Sequence, residues 1–255
     1  MIANGIIPAR FGSSRFPGKP LQDICGKPMI WWVYNQASKA KELSKVYVAT
    51  ESKKIEEVCN QFGIPCIMTS DNCRNGTERL CEASHIVDGD LYITIQGDEP
   101  LTEPENVDKL TKYMKEHPEV GCSTMKIKYE NPIDVINSTT PKVVSDLNGD
   151  IMLFTRSPVP YPKSALDYSI YKPIGIYGFR KDVLQLYSTL SIGPIEKAED
   201  IELLRYLEHG YKIRILETNS DTVAVDTPKD LERVRQIIKI KLSYEYGNAA
   251  PPPNI

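Results

Sequence analysis

A chain of 255 residues, 41% apolar and 25% charged, is long enough to bury one substantial α/β core with at most a small appendage. Its formal net charge of −3 and the lack of any long basic stretch exclude non-specific nucleic-acid binding as the main role. No apolar run is long enough to span a bilayer, and "MIANGIIPAR" lacks the basic-then-apolar pattern of a secretion signal, so a cytoplasmic protein without a membrane partner is expected.

In chain order, "GIIPA" (residues 5–9) reads as a buried strand, and the apolar spacing of residues 29–41 as a helix, carrying Trp31 and Trp32, that packs on the sheet. "KVYVAT" (45–50) is the next strand. Residues 52–63 follow as a helix with Ser52 at its N-cap and Gly63 at its end. "PCIMT" (65–69) is a strand, 75–87 a helix, and "DLYITIQGDEP" (90–100) a strand running into an acidic turn. Pro104 opens a helix to about His117. This alternation predicts right-handed crossovers and a Rossmann-like, largely parallel sheet flanked by helices.

The second half has longer strands: "GCSTMKIKY", then "PKVVSDLNGDIMLFTR" with a turn at Asn148-Gly149, then "YKPIGIYGFR" leading into a helix. "EKAEDIELLRYLEHG" reads as one helix ended by Gly210. "KIRILET" and "VAV" read as β-rich runs, and the final helix starts at Pro228 with Asp226 or Thr227 as its cap. The tail, "YGNAAPPPNI", has the composition of a disordered segment.

Six cysteines are present, none in a C-x-x-C pair, and His85, His117 and His209 do not join them at ligand spacing. A disulfide framework and a zinc site are therefore not expected, and the cysteines read mainly as small buried apolar residues.

Three segments, the opening loop, "TSDNCRNGTER" and "QGDEP", fall beyond the carboxyl ends of strands, where open parallel sheets bind ligands, and "VDTP" follows a further β-rich run. "ARFGSSRFPGKP" is not a Walker loop. Five residues separate Gly12 from Gly18, and Pro20 stands where a magnesium-binding hydroxyl would be. Its glycines, Ser13 and Ser14, and the cations Arg10, Arg15 and Lys19 suit an anion cradle, and three cations suit a polyphosphate. The same residues also fit a solvated basic loop. In "QGDEP", Asp98 is well placed for Mg²⁺, which takes few protein ligands; the motif also fits an ordinary turn. Asp226 in "VDTP" fits a helix cap or a second magnesium ligand. Two carboxylates and a basic loop together describe an enzyme that handles a nucleoside triphosphate with Mg²⁺.

The ordered set "IPARFGSSRFPGKPLQDICGKPMI", "MTSDNCRNGTERL", "QGDEP", "PKVV", "RSPVPYP", "GIYGFR" and "VDTPKDLERVR" resembles the CMP-KDO synthetases, 3-deoxy-manno-octulosonate cytidylyltransferases, especially capsule-type members. The match runs from about residue 6 to residue 238. It implies the α/β nucleotidyltransferase fold in one domain, residues 1–243, with a small β-rich dimerisation insertion at about 125–190, and a homodimer. It also implies CMP transfer from CTP, in capsule or lipopolysaccharide synthesis, to a small anionic acceptor with release of pyrophosphate. The triphosphate would lie on Ala9, Arg10, Gly12, Ser13, Ser14, Arg15 and Lys19. Thr50, Arg74, Asn75, Gly76, Thr77 and Gln96 would complete the nucleotide site. Lys19, Asp98 and Arg15 would be catalytic, and Asp98 and Asp226 would hold Mg²⁺. Arg79, Gln96, Arg156, Lys172, Tyr177, Glu199 and Glu202 would face the acceptor.

The acceptor side departs from the family pattern. Pro173 precedes "IGIY" where the family has a His, and Leu203 replaces a Gln. Lys197, Asp200 and Glu51-Ser52 are further differences. Lost hydrogen-bonding groups should cost binding of a polyhydroxy acid unless the acceptor has changed. A phosphate-bearing small molecule or another acidic sugar, met by Lys172 and Lys197, is thus the alternative acceptor. Retention of Lys19, Asp98 and Asp226 argues against a non-catalytic nucleotide-binding protein. The lack of a glycine-rich G-x-G-T-R-L loop argues against a sugar-1-phosphate nucleotidyltransferase.

Overall fold

The computed structural model describes residues 1–12, 16–164 and 169–246. Among them, nine strands form one mixed sheet. The main path starts with β1 (Ala3–Pro8), β4 (Lys45–Thr50), β5 (Cys66–Met68) and β6 (Leu91–Ile95). It is completed by β7 (Cys122–Lys128), β10 (Tyr171–Arg180) and β11 (Arg214–Glu217), in the spatial order β11-β7-β10-β6-β1-β4-β5. β1, β4, β5 and β6 pair in parallel, as do β7 and β11, and β10 runs antiparallel between β6 and β7. β8 (Lys142–Ser145) and β9 (Ile151–Thr155) form a hairpin that joins the sheet through Tyr171. The stretch expected to be a β-rich insertion thus supplies two strands, β7 and β10, to the main sheet itself.

Helices cover both faces because side chains alternate along each strand. Ile7 packs with Ile30 and Val33 of α1 (Met29–Ala37), Ile55 of α2 (Lys53–Gln61) and Leu110 of α4 (Pro104–Glu116). Its neighbour Ile6 packs on the other face, with Leu80 of α3 (Gly76–Ala83), Leu184 of α5 (Lys181–Tyr187) and Tyr206 of α7 (Leu204–Glu208). β6 is buried at all five positions, which is why it reads as a near-continuous apolar run, interrupted at Thr94, rather than an alternating one. A third cluster seats α8 (Pro228–Tyr246) on the short hairpin β2 (Asp23–Ile24) and β3 (Lys27–Pro28), where Trp32 Nε1 donates to the Ile24 carbonyl.

Two expectations are corrected. The single helix expected over 196–210 is broken into α6 (Pro194–Glu199) and α7 by Asp200, whose φ of 52° is left-handed. At the break the Arg156 guanidinium donates to the Glu199 and Asp200 carbonyls, which gives the backbone a partner from outside the helix. The "VAV" run before Asp226 is not a strand. Among the described residues its backbone pairs through a bond from the Val225 N–H to the Asp98 carbonyl at 2.8 Å. The helices at 29 and 75 also end earlier than their apolar spacing suggests, at Ala37 and Ala83.

No helix among the described residues is long and apolar enough to cross a membrane. The cysteines are unpaired. Cys59, Cys81 and Cys122 are buried, whereas Cys25 is exposed, so the expectation of small buried residues holds for part of the set.

Candidate active site

Three loops meet at the carboxyl ends of β1, β4, β5 and β6. The first follows β1, where the Ala9 N–H donates to the Ala49 carbonyl, and Arg10 and Gly12 are exposed beyond it. Ser13, Ser14 and Arg15 lie outside the described residues. The loop closes by a bond from Gly18 N–H to the Phe11 carbonyl at 3.0 Å and delivers Lys19 into a 3-10 turn.

Lys19 is the centre of the arrangement. Its ammonium lies 2.7 Å from Asp98 and 3.5 Å from Asp226. These residues come from three distant parts of the chain. Asp98 stands just past β6, where Gly97 is obligatory: a Cβ there would lie 2.5 Å from the Pro8 carbonyl oxygen. The Val225-to-Asp98 backbone bond brings the third part in. Thr227 caps α8 in a reciprocal box with Asp230: the Thr227 N–H donates to Asp230, and Asp230 N–H to Thr227 Oγ1. Both aspartates keep about a third of their side-chain surface exposed. They are hard oxygen donors that converge on one cation, the kind of set magnesium uses while keeping water and phosphate ligands. No cluster of three or more metal-ligating side chains occurs among the described residues.

The second loop precedes α3. Asn75 caps it, accepting from Glu78 N–H at 2.8 Å and donating to the Tyr187 hydroxyl at 2.9 Å. The Thr77 N–H donates to Glu202 Oε2 at 3.0 Å, so a carboxylate already occupies the anion position at this helix start, next to Gly76. Arg74 is exposed and clamped by Glu78, which also pairs with Arg205. Arg205 is 1% exposed, bridges Glu78 to Glu196, and stacks over Tyr187. Thr50, buried at the end of β4, accepts from the Ser52 N–H.

The third group lies where β6 meets β10. Gln96 N–H donates to the Gly175 carbonyl, beside Tyr177. Gly175 leaves room for Glu99, since a Cβ would lie 2.3 Å from Glu99 Oε1. Burial, then the charge of Asp98, pushes the Glu99 carboxyl up to about 8. Burial, with the carboxylates of Glu202 and Glu99, raises the Tyr177 phenol as well, so it stays protonated. Lys172 pairs with Asp221 at 2.7 Å.

The other residues expected at the acceptor support loops. Arg79 is 4% exposed and holds Thr69, Ser70 and Glu51. Arg156 gives its guanidinium to the carbonyls of Ser138, Thr139, Glu199 and Asp200. Glu199 accepts from Thr155 Oγ1 and the Arg156 N–H. Sequence reasoning gave no site role to Glu51, Glu99 or the Glu78–Arg205–Glu196 cluster. Glu99 was findable, adjoining Asp98 in the same motif. Arg205 carried no signal, because its partners are distant in the chain.

Residues 4–213 match the family described as cytidylyltransferase. An Escherichia coli 3-deoxy-manno-octulosonate cytidylyltransferase is 41% identical over 93% of this chain and 96% of its own length. One from Fusobacterium nucleatum is 43% identical over 92% and 96%. An 8-amino-3,8-dideoxy-manno-octulosonate cytidylyltransferase from Shewanella baltica is 38% identical over 92% and 98%. A solved CMP:2-keto-3-deoxy-manno-octonic acid synthetase complexed with CTP superposes with a TM-score of 0.90 at 41% identity, covering 94% of this chain and all of the other. The same lysine and carboxylates that converge here thus lie within a match spanning nearly the whole molecule, and the chain belongs to the cytidylyltransferase family, among the 3-deoxy-manno-octulosonate cytidylyltransferases and their 8-amino relatives.

Proposed function

We propose that this protein transfers CMP from CTP to the hydroxyl of a 3-deoxy-manno-octulosonate-type acid, releasing pyrophosphate. The observation that carries this reading is the convergence of Lys19 on Asp98 and Asp226 at the strand ends, in a chain whose relatives are CMP-KDO synthetases. The acceptor oxygen forms a bond to the α-phosphorus of CTP, and the bond from that phosphorus to the bridging oxygen breaks. No covalent enzyme nucleophile is required, so the residues act by positioning and charge neutralisation. The opening loop, with Arg10, Arg15 and Lys19, takes the triphosphate. The 74–77 loop takes cytosine and ribose, and Gln96 lies between nucleotide and acceptor. Bound by Asp98 and Asp226, Mg²⁺ would neutralise triphosphate charge. Lys19 then exchanges a carboxylate partner for a phosphate oxygen. Lys172, Tyr177 and Glu202 face the acid, with Arg156 and Glu199 holding the loops around it and Arg79 holding the loops on the nucleotide side.

A second acceptor reading has its own observation. Pro173 on β10 can neither donate nor titrate, while Lys172 beside it presents a cation paired to Asp221. A different anionic acceptor, such as an amino-substituted octulosonate or a phosphate-bearing molecule, fits this side. Purified protein with CTP, Mg²⁺ and a panel of acceptors, read by pyrophosphate release, separates the two: full turnover with KDO alone would defeat the changed acceptor. Asp98→Asn should lower kcat/KM on the order of a hundredfold in the same assay; unchanged turnover would refute the metal assignment.

We also propose a homodimer using the β8–β9 hairpin, since Leu147 in its turn and Met152 on β9 expose apolar side chains.

A further inference from the structure

The two loops proposed to hold CTP leave the sheet from different strands, β1 and β5. β4 lies between these strands, and Glu51 is the first residue after it. Glu51 reaches both ways. Its Oε1 accepts from the Phe11 N–H of the opening loop at 2.9 Å. Its Oε2 lies 2.8 Å from Nη2 of Arg79 on α3, an ion pair outside hydrogen-bond alignment. Arg79 donates in turn to Thr69 Oγ1 and the Ser70 carbonyl, at the root of the second loop. The two side chains are 5% and 19% exposed, so solvent screens the pair weakly.

A ligand that spans two loops is held only as well as their separation is fixed, because the second contact counts at an effective concentration set by geometry. A fragment touching one loop does not feel that separation. We propose that Glu51 and Arg79 are positioning residues that set the distance between the triphosphate loop and the cytidine loop, and so favour an intact nucleoside triphosphate over either of its halves.

The proposal rests on the nucleotide reading given above. It is tested by calorimetry on the full chain, wild type and Glu51→Gln, with CTP, CMP and inorganic tripolyphosphate as probes. Gln is isosteric and still accepts from Phe11 N–H, but it no longer neutralises Arg79. The expected result is a loss of about tenfold for CTP, equivalent to about 1.4 kcal/mol, with CMP and tripolyphosphate each within about twofold of wild type. In steady state KM for CTP rises by the same factor and kcat stays within about threefold. Glu51→Ala, which also frees the Phe11 N–H, should weaken tripolyphosphate too. Unchanged CTP affinity in Glu51→Gln, or an equal loss for either fragment, would overturn the proposal. Wild-type protein that binds none of the three probes would instead overturn the nucleotide reading beneath it.

Discussion

Glu99 is a carboxyl group buried beside a carboxylate, and its protonation state follows from that placement. Folded, it holds its proton to about pH 8; unfolded, it would lose it near 4.5. Between those values the folded chain binds the extra proton, so stability falls as pH rises from about 4.5 to 8 and is level above. Glu99→Gln removes the titration while keeping the shape. Melting curves in nucleotide-free buffer with chelator should therefore show the variant gaining on wild type from pH 5 to pH 8. A constant gap across that range would mean Glu99 titrates as an ordinary carboxylate. Gly97 makes a related point about backbone. Its missing Cβ lets the end of β6 approach the Pro8 carbonyl, and a main-chain atom cannot rotate away. Gly97→Ala should cost about 1–3 kcal/mol in urea unfolding, as overpacking does, and move Asp98 relative to Lys19.

At the scale of elements, Arg205 ties three helices together. It sits on α7, pairs with Glu196 on α6 and Glu78 on α3, and Glu78 in turn clamps Arg74. Removing it leaves two carboxylates facing each other around a site that is 1% exposed on the arginine side. Arg205→Met should thus destabilise the protein by about 3–5 kcal/mol, measured by chemical denaturation. A loss below about 1 kcal/mol would show that the carboxylates find other partners. The α6–α7 break belongs to the same scale. The run "EKAEDIELLRYLEHG" has helical spacing throughout, yet it breaks at Asp200, where the backbone turns left-handed and Arg156 donates to the Glu199 and Asp200 carbonyls. Local propensity is worth tenths of a kcal/mol per residue and yields to such contacts.

For the whole molecule, the proposed dimer makes a direct prediction. Light scattering should give twice the chain mass, and Met152→Asp, an exposed apolar position on β9, should return the mass to that of one chain. Much of this molecule was legible in its sequence. Strand–helix alternation with buried apolar runs specified the parallel half of the sheet, because the period of the pattern is the period of burial. The loops after β1, β5 and β6 were recognisable from glycine, hydroxyl and charge types that suit polyphosphate and magnesium, and the motif set named the family. What the pattern could not carry was contact between distant segments. That Lys19 reaches both Asp98 and Asp226, that Arg205 gathers Glu78 and Glu196, and that Glu51 joins Phe11 to Arg79 depend on the strand order β6-β1-β4-β5 and the Val225-to-Asp98 bond. The sequence by itself determined the family and most of the elements that carry the candidate loops, since both follow from local chemistry and spacing. Only the tertiary structure decided which charges meet, because side-chain pairing across the sheet is set by register and strand order rather than by position along the chain.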